Sequence, residues 1–139
     1  MVILVDANIL IDVLAKREPF HISSSRIWKY CETNLVTGHV SALTFANLVY
    51  VLSRELTARQ TEETLHTLSL IFSVEDLKLS DLEHAAALHW SDFEDAIQYV
   101  TAGRVKADYI VSRNPKDYEN QTIPVKSPEE VCALIKSFI

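Results

Sequence analysis

The sequence predicts an α/β sandwich built on a mostly parallel sheet, and three observations carry that expectation. Val2-Ile3-Leu4-Val5 is a short apolar run rich in β-branched residues, as expected of a strand buried on both faces. Asp108-Tyr109-Ile110-Val111-Ser112 is a second short apolar strand of the same kind. Capped helix starts lie between and after them, and strands that alternate with helices imply a parallel sheet. Asp6 ends the first run, which puts an acid at the carboxyl edge of the sheet, where open α/β folds bind ligands. An acid there suits a hard metal ion or a phosphate-directed reaction.

The elements follow in order. Asn8–Leu14 predicts a short helix. Pro19 opens a second, with Ile22, Ile27, Trp28 and Tyr30 as apolar contacts up to Cys31. Leu35–Val40 reads as a strand, and Ser41 as the N-cap of a third helix. From Leu43 to Leu56 the apolar residues nearly encircle that helix, which predicts deep burial. Thr57 with Gln60 has capping-box spacing for a fourth helix running to about Phe72. Ser73–Leu79 reads as a strand that carries Glu75 and Asp76, and Ser80 with Glu83 as a capping-box start of a helix to about Trp90. Ser91 and Asp92 open the next helix, with Gly103 near its end. Arg113-Asn114-Pro115 is a turn, and Ile123-Pro124-Val125 an edge strand, where proline is tolerated. Ser127-Pro128-Glu129-Glu130 starts a final helix with proline at its first position.

The bulk composition bounds the function. One domain over residues 1–139 is the expectation for a chain of this length. Hydrophobic residues at 48% and charged residues at 23% are ordinary for a globular domain. No apolar run reaches the ~18 residues that span a bilayer. The amino terminus has no basic leader, so a cytoplasmic protein with no membrane partner is expected. Cys31 and Cys132 are far apart and form no CxxC, which predicts two reduced thiols. A net charge of −6 is the wrong sign for gripping nucleic acid by bulk electrostatics. It leaves a nuclease open, because a bound cation offsets a carboxylate cluster. With only two glycines, Walker A and dinucleotide fingerprints are excluded. No HExxH and no G-x-S-x-G is present.

The candidate chemistry is an acidic constellation. Asp6, Asp95 and the Asn114–Asp117 segment stand at strand ends or helix starts, which share one edge of a parallel sheet. Two or three carboxylates there hold Mg²⁺ or Mn²⁺ while leaving positions for water and substrate. Each has a structural reading too: Asp92 as an N-cap, Asp95 as a first-turn acid, Asp117 as turn chemistry and Asp12 as a solvated helix residue. Asp6 is harder to explain that way, because a charge beside a buried strand is costly without a partner. The histidines, tryptophans and tyrosines read as surface or core residues.

Four segments then resemble the PIN-domain family, the fold of VapC-type toxin ribonucleases: Val5-Asp6-Ala7-Asn8-Ile9-Leu10, Ser41-Ala42-Leu43-Thr44, Asp92-Phe93-Glu94-Asp95-Ala96-Ile97-Gln98, and Ala107 through Tyr118. The resemblance spans the chain and implies a three-layer α/β/α sandwich with four to five strands. It implies a Mg²⁺- or Mn²⁺-dependent endoribonuclease, the toxin of a toxin–antitoxin pair, acting on RNA, held by a cognate antitoxin and forming a homodimer. Carried over, the metal and catalytic acids fall on Asp6, Asp95 and Asp117, with Asp92 as an auxiliary ligand. Asn8, Asn47, Ser112 and Asn114 fall at polar supporting or neutral-ligand positions, and Arg113 at a phosphate contact. The family's second acid falls on Asn47, which has no charge and weakens hard-cation binding. A catalytically weakened or inactive domain acting as an interaction module is therefore the alternative. Haloacid dehalogenase and response-regulator readings fail: Asn8 stands where the former needs its second aspartate, and the latter's tandem acids are missing.

Overall fold

The computed structural model describes residues 1–139. Its five strands are β1 (Val2–Val5), β2 (Thr37–Ser41), β3 (Ser73–Glu75), β4 (Tyr109–Val111) and β5 (Val125–Lys126). They pair in the order β3-β2-β1-β4-β5, and every pair is parallel. The helices are α1 (Ala7–Leu14), α2 (His21–Glu32), α3 (Ala42–Leu52), α4 (Ala58–Ile71), α5 (Leu79–Ala87), α6 (Phe93–Arg104) and α7 (Pro128–Lys136). The three-layer α/β/α expectation holds.

Strand alternation builds the layers. Ile3, Val5 and Val111 face the larger core with α1, α2, α3, α4 and α7 residues such as Ile9, Ile27, Leu48, Leu68 and Ile135. Leu4 and Ile110 face the other side, where Ala102 of α6 packs. The chain winds outward from β1 through β2 to β3, then crosses to β4 beside β1. That reversal between β1 and β4 is the topological switch point, where parallel α/β sheets place their ligand crevice. Asp6 and Ser112 leave the sheet there.

The capping box that the sequence predicts at Thr57 forms, and the helix start predicted at Ser127-Pro128 closes with a box as well. Thr57 and Gln60 exchange hydrogen bonds at 3.1 and 2.9 Å, and Ser127 and Glu130 at 3.2 and 3.1 Å. Other expectations need correction. The strand expected over Leu35–Val40 begins at Thr37, and that expected over Ser73–Leu79 ends at Glu75. α5 starts at Leu79, not after Ser80, because Asp81 accepts the Lys78 N–H and takes the capping position from Glu83. Gly103 lies inside α6, which stops where Lys106 turns to φ 56°. Buried Asp12 is not solvated. α3 is not deeply buried: Thr44 and Leu48 are covered, while Val49 and Tyr50 are 38% and 65% exposed. Leu43, Phe45, Leu48 and Leu52 pack on the cores, while Val49 and Tyr50 point outward, Tyr50 under the Arg54 guanidinium at 4.8 Å.

Candidate active site at the switch point

β1 ends because Asp6 caps α1. Its Oδ1 accepts the Ala7 N–H at 2.7 Å, and its own N–H donates to the Val111 carbonyl at 3.0 Å. Oδ2 accepts from the Ser112 hydroxyl at 2.9 Å and the Tyr118 hydroxyl at 3.2 Å. Burial raises the pKa of Asp6, with partial relief from Ser112, the Ala7 N–H, Tyr118 and Gln98. The donors are neutral, so the carboxylate is oriented without being matched by a positive charge.

The turn after β4 is tied to α1 by a short relay. Asn8 Nδ2 donates to Ser112 Oγ at 3.4 Å, and the Arg113 N–H donates to Asn8 Oδ1 at 3.3 Å. The Asn114 N–H donates to Ser112 Oγ at 3.1 Å. Exposed Asn114 then caps the 3-10 turn Pro115–Asp117. Asn8, Ser112 and Asn114 thus meet around Asp6.

α6 brings the remaining acids. Asp92 caps it, its Oδ1 accepting the Asp95 N–H at 3.0 Å. Asp92, Asp95 and Asp117 line an open pocket of about 500 Å³ with Ser91, Lys116 and Glu119. Burial, then the charges of Asp92, Asp6, Asp117 and Glu94, push Asp95 up to about 7. Asp6 and Asp95 therefore share one electrostatic neighbourhood. Burial, then the charges of Asp6, Asp95 and Asp92 and the hydrogen bond to Asp6, raise Tyr118, a buried residue whose ring stands edge-on to Trp90.

Arg113, expected at a phosphate, lies against Asp12 and Phe20. Its Nε lies 2.7 Å from Asp12 Oδ2, and its guanidinium stacks on Phe20 at 4.1 Å from the ring centroid. Asp12 is 0% exposed and also accepts from Ser24 Oγ at 3.3 Å. This pair pins the turn after β4 to α1 and α2. Asn47 on α3 donates through Nδ2 to Glu94 Oε2 at 3.4 Å.

The donor set fits a hard divalent cation: the carboxylates of Asp92, Asp95, Asp117 and Glu119 line an open pocket in which Lys116 is the one basic side chain. Buried Gln98 Oε1 beside Asp6 has no hydrogen-bond partner, so an acceptor is left free at the same place. No three His, Cys, Asp or Glu side chains form a ready-made ligand shell.

Residues 2–116 match the model of the PIN domain. The chain belongs to the PIN-domain family. Solved structures share its architecture. A toxin–antitoxin complex from Klebsiella pneumoniae superposes with TM-score 0.69 at 22% identity, covering 90% of this chain and 96% of that one. VapBC2 from Rickettsia felis, bound to a DNA fragment from its promoter, gives TM-score 0.70 at 16% identity over 91% and 98%. VapC20 of Mycobacterium tuberculosis, a toxin that cleaves the sarcin–ricin loop, gives 0.63 at 16% over 78% and 86%. No curated protein matches the chain.

Reading the sequence as a PIN domain missed four side chains that touch this arrangement: Asp12, Glu94, Gln98 and Tyr118. Gln98 and Tyr118 lie within one helical turn or one residue of Asp95 and Asp117, and that proximity was the available signal. Asp12 follows Asn8 by one turn on α1, the same face.

Proposed function

We propose that this PIN domain is a metal-dependent endoribonuclease that hydrolyses RNA phosphodiester bonds and serves as the toxin of a toxin–antitoxin pair. The observation that carries the reading is the shared neighbourhood of Asp6, Asp92, Asp95 and Asp117, which raises Asp95 to about 7. Bound Mg²⁺ or Mn²⁺ would polarise the phosphate and lower the pKa of a coordinated water. Asp6 and Asp95 would hold the ion, and Asp117 and Asp92 would complete the site. Ser112 and Tyr118 fix the direction of the Asp6 carboxylate. Asn8 and Asn114 hold the turn that carries Ser112. Lys116 on the pocket rim meets a phosphate oxygen more readily than Arg113, whose Nε is taken by Asp12.

The partner is a cognate antitoxin. Supporting this are the toxin–antitoxin complexes among its structural neighbours and the exposed Val49 and Tyr50 of α3. Homodimer formation accompanies it and is checked by light scattering. The reading puts its action in the cytoplasm, where free thiols such as Cys31 and Cys132 stay reduced.

Asn47 favours a second reading, a domain that binds without cleaving. Purified protein incubated with RNA decides between them. Cleavage that needs Mn²⁺ or Mg²⁺, stops in EDTA and falls by about 10² or more in Asp6→Asn supports the nuclease. Cleavage that survives both treatments removes it, and its complete absence with retained fold favours the binding module.

A further inference from the structure

We propose that Glu94, in the first turn of α6, supplies the carboxylate that α3 lacks at Asn47. The inference rests on the nuclease reading and assigns it one more ligand. Asn47 Nδ2 donates to Glu94 Oε2 at 3.4 Å, which joins positions 47 residues apart on two helices. Deeper in the same seam, Gln98 Nε2 donates to Thr44 Oγ1 at 2.9 Å. Thr44 and Asn47 are one turn apart on α3, and Glu94 and Gln98 one turn apart on α6, so two contacts align these faces. The acid that a PIN domain carries on α3 therefore has a counterpart reaching across from α6.

A second, independent observation points to a ligand. Gln98 is 4% exposed, yet its Oε1 has no hydrogen-bond partner. Its carboxamide also contacts Asp6. A buried carbonyl oxygen left free one helical turn from Glu94, on a carboxamide whose amide side reaches Asp6, needs a donor. A water in the hydration shell of an ion held between those carboxylates provides one. A first-turn acid that served only the helix dipole would need neither the amide of α3 nor this free acceptor.

Mn²⁺ titration by calorimetry, paired with RNA cleavage, tests the assignment on the full chain. Glu94 is exposed, so Glu94→Gln is expected to fold, and thermal melting checks it. Glu94→Gln is expected to weaken Mn²⁺ binding by about tenfold or more and to slow cleavage with it. Moving the acid across the seam, in Asn47→Glu/Glu94→Gln, is expected to recover most of both. Wild-type Mn²⁺ affinity in Glu94→Gln overturns the assignment, and so does a double variant no better than Glu94→Gln. If Asp6→Asn abolishes cleavage while Glu94→Gln does not change it, the nuclease reading stands and this ligand alone is wrong. Absence of Mn²⁺ binding by the wild-type protein removes both.

Discussion

At the scale of single residues, the account turns on which charges have partners. Asp12 is fully buried and Arg113 is partly exposed, so the two halves of their ion pair are not equivalent. Arg113→Gln leaves a buried carboxylate unpaired and is expected to cost about 3–5 kcal/mol. Asp12→Asn leaves a guanidinium that can still reach water and should cost less. Urea denaturation of both variants checks the order, and equal losses would count against it. Tyr118→Phe removes one donor from Asp6 while keeping the ring against Trp90. It should lower Mn²⁺ affinity by roughly 10–100-fold with little change in melting temperature. Asp6 was legible in the sequence because an acid directly after a buried strand has few structural reasons to be there. Asp12 was not, since only the fold reveals that Arg113, far along the chain, meets it.

At the scale of elements, local signals were read well where they were self-contained. The box Thr57–Gln60 and the proline-started helix at Ser127 involve only neighbours in sequence, and both form. Thr57→Ala is expected to cost about 1 kcal/mol in denaturant unfolding. Signals that depend on tertiary packing were read less well. Ser80–Glu83 had capping-box spacing, but Asp81 also meets Arg104 of α6 at 3.1 Å, and that contact fixes the earlier start. Gly38 is a clear case of close packing between layers. A Cβ there would stand 2.6 Å from Cys31 Sγ and 2.9 Å from Phe72 Cδ1. Gly38→Ala should therefore destabilise the protein by about 1–3 kcal/mol, because β2 must move away from α2 and α4. A melting temperature equal to that of the wild type would show that the layer gap is wider than this. The apolar girdle of α3 gave the right hydrophobicity but too deep a burial, since periodicity cannot say which of its sides the neighbouring helices cover and Val49 and Tyr50 are left exposed.

At the scale of the whole molecule, the order β3-β2-β1-β4-β5 converts remote acids into one site. The sequence showed each acid, and alternating strands and helices showed that they could share an edge. Which turn faced which helix depended on the crossover between β3 and β4, and that is a property of the complete fold. The concentration of carboxylates has a thermodynamic consequence. Asp95 is raised from the ordinary 3.8 to about 7, and Asp6 is raised too. The folded state binds these protons more tightly than the unfolded chain, so their contribution is full below about pH 4 and is lost as pH rises towards 7. Asp81 and Glu130 are lowered and act in the opposite sense only at more acidic pH. Metal-free protein should therefore lose thermal stability between pH 5 and pH 7.5, and Asp95→Asn should flatten that slope. Added Mn²⁺ should raise the melting temperature more at pH 7.5 than at pH 5, because protonated carboxylates ligate poorly.

Anomalous diffraction from crystals grown with Mn²⁺ addresses the gathering of these acids most directly. The account predicts a single strong peak at the crevice between β1 and β4, in contact with Asp6 or Asp95 directly or through ordered water. A peak elsewhere on the surface, or none at the crevice at saturating Mn²⁺, would contradict it.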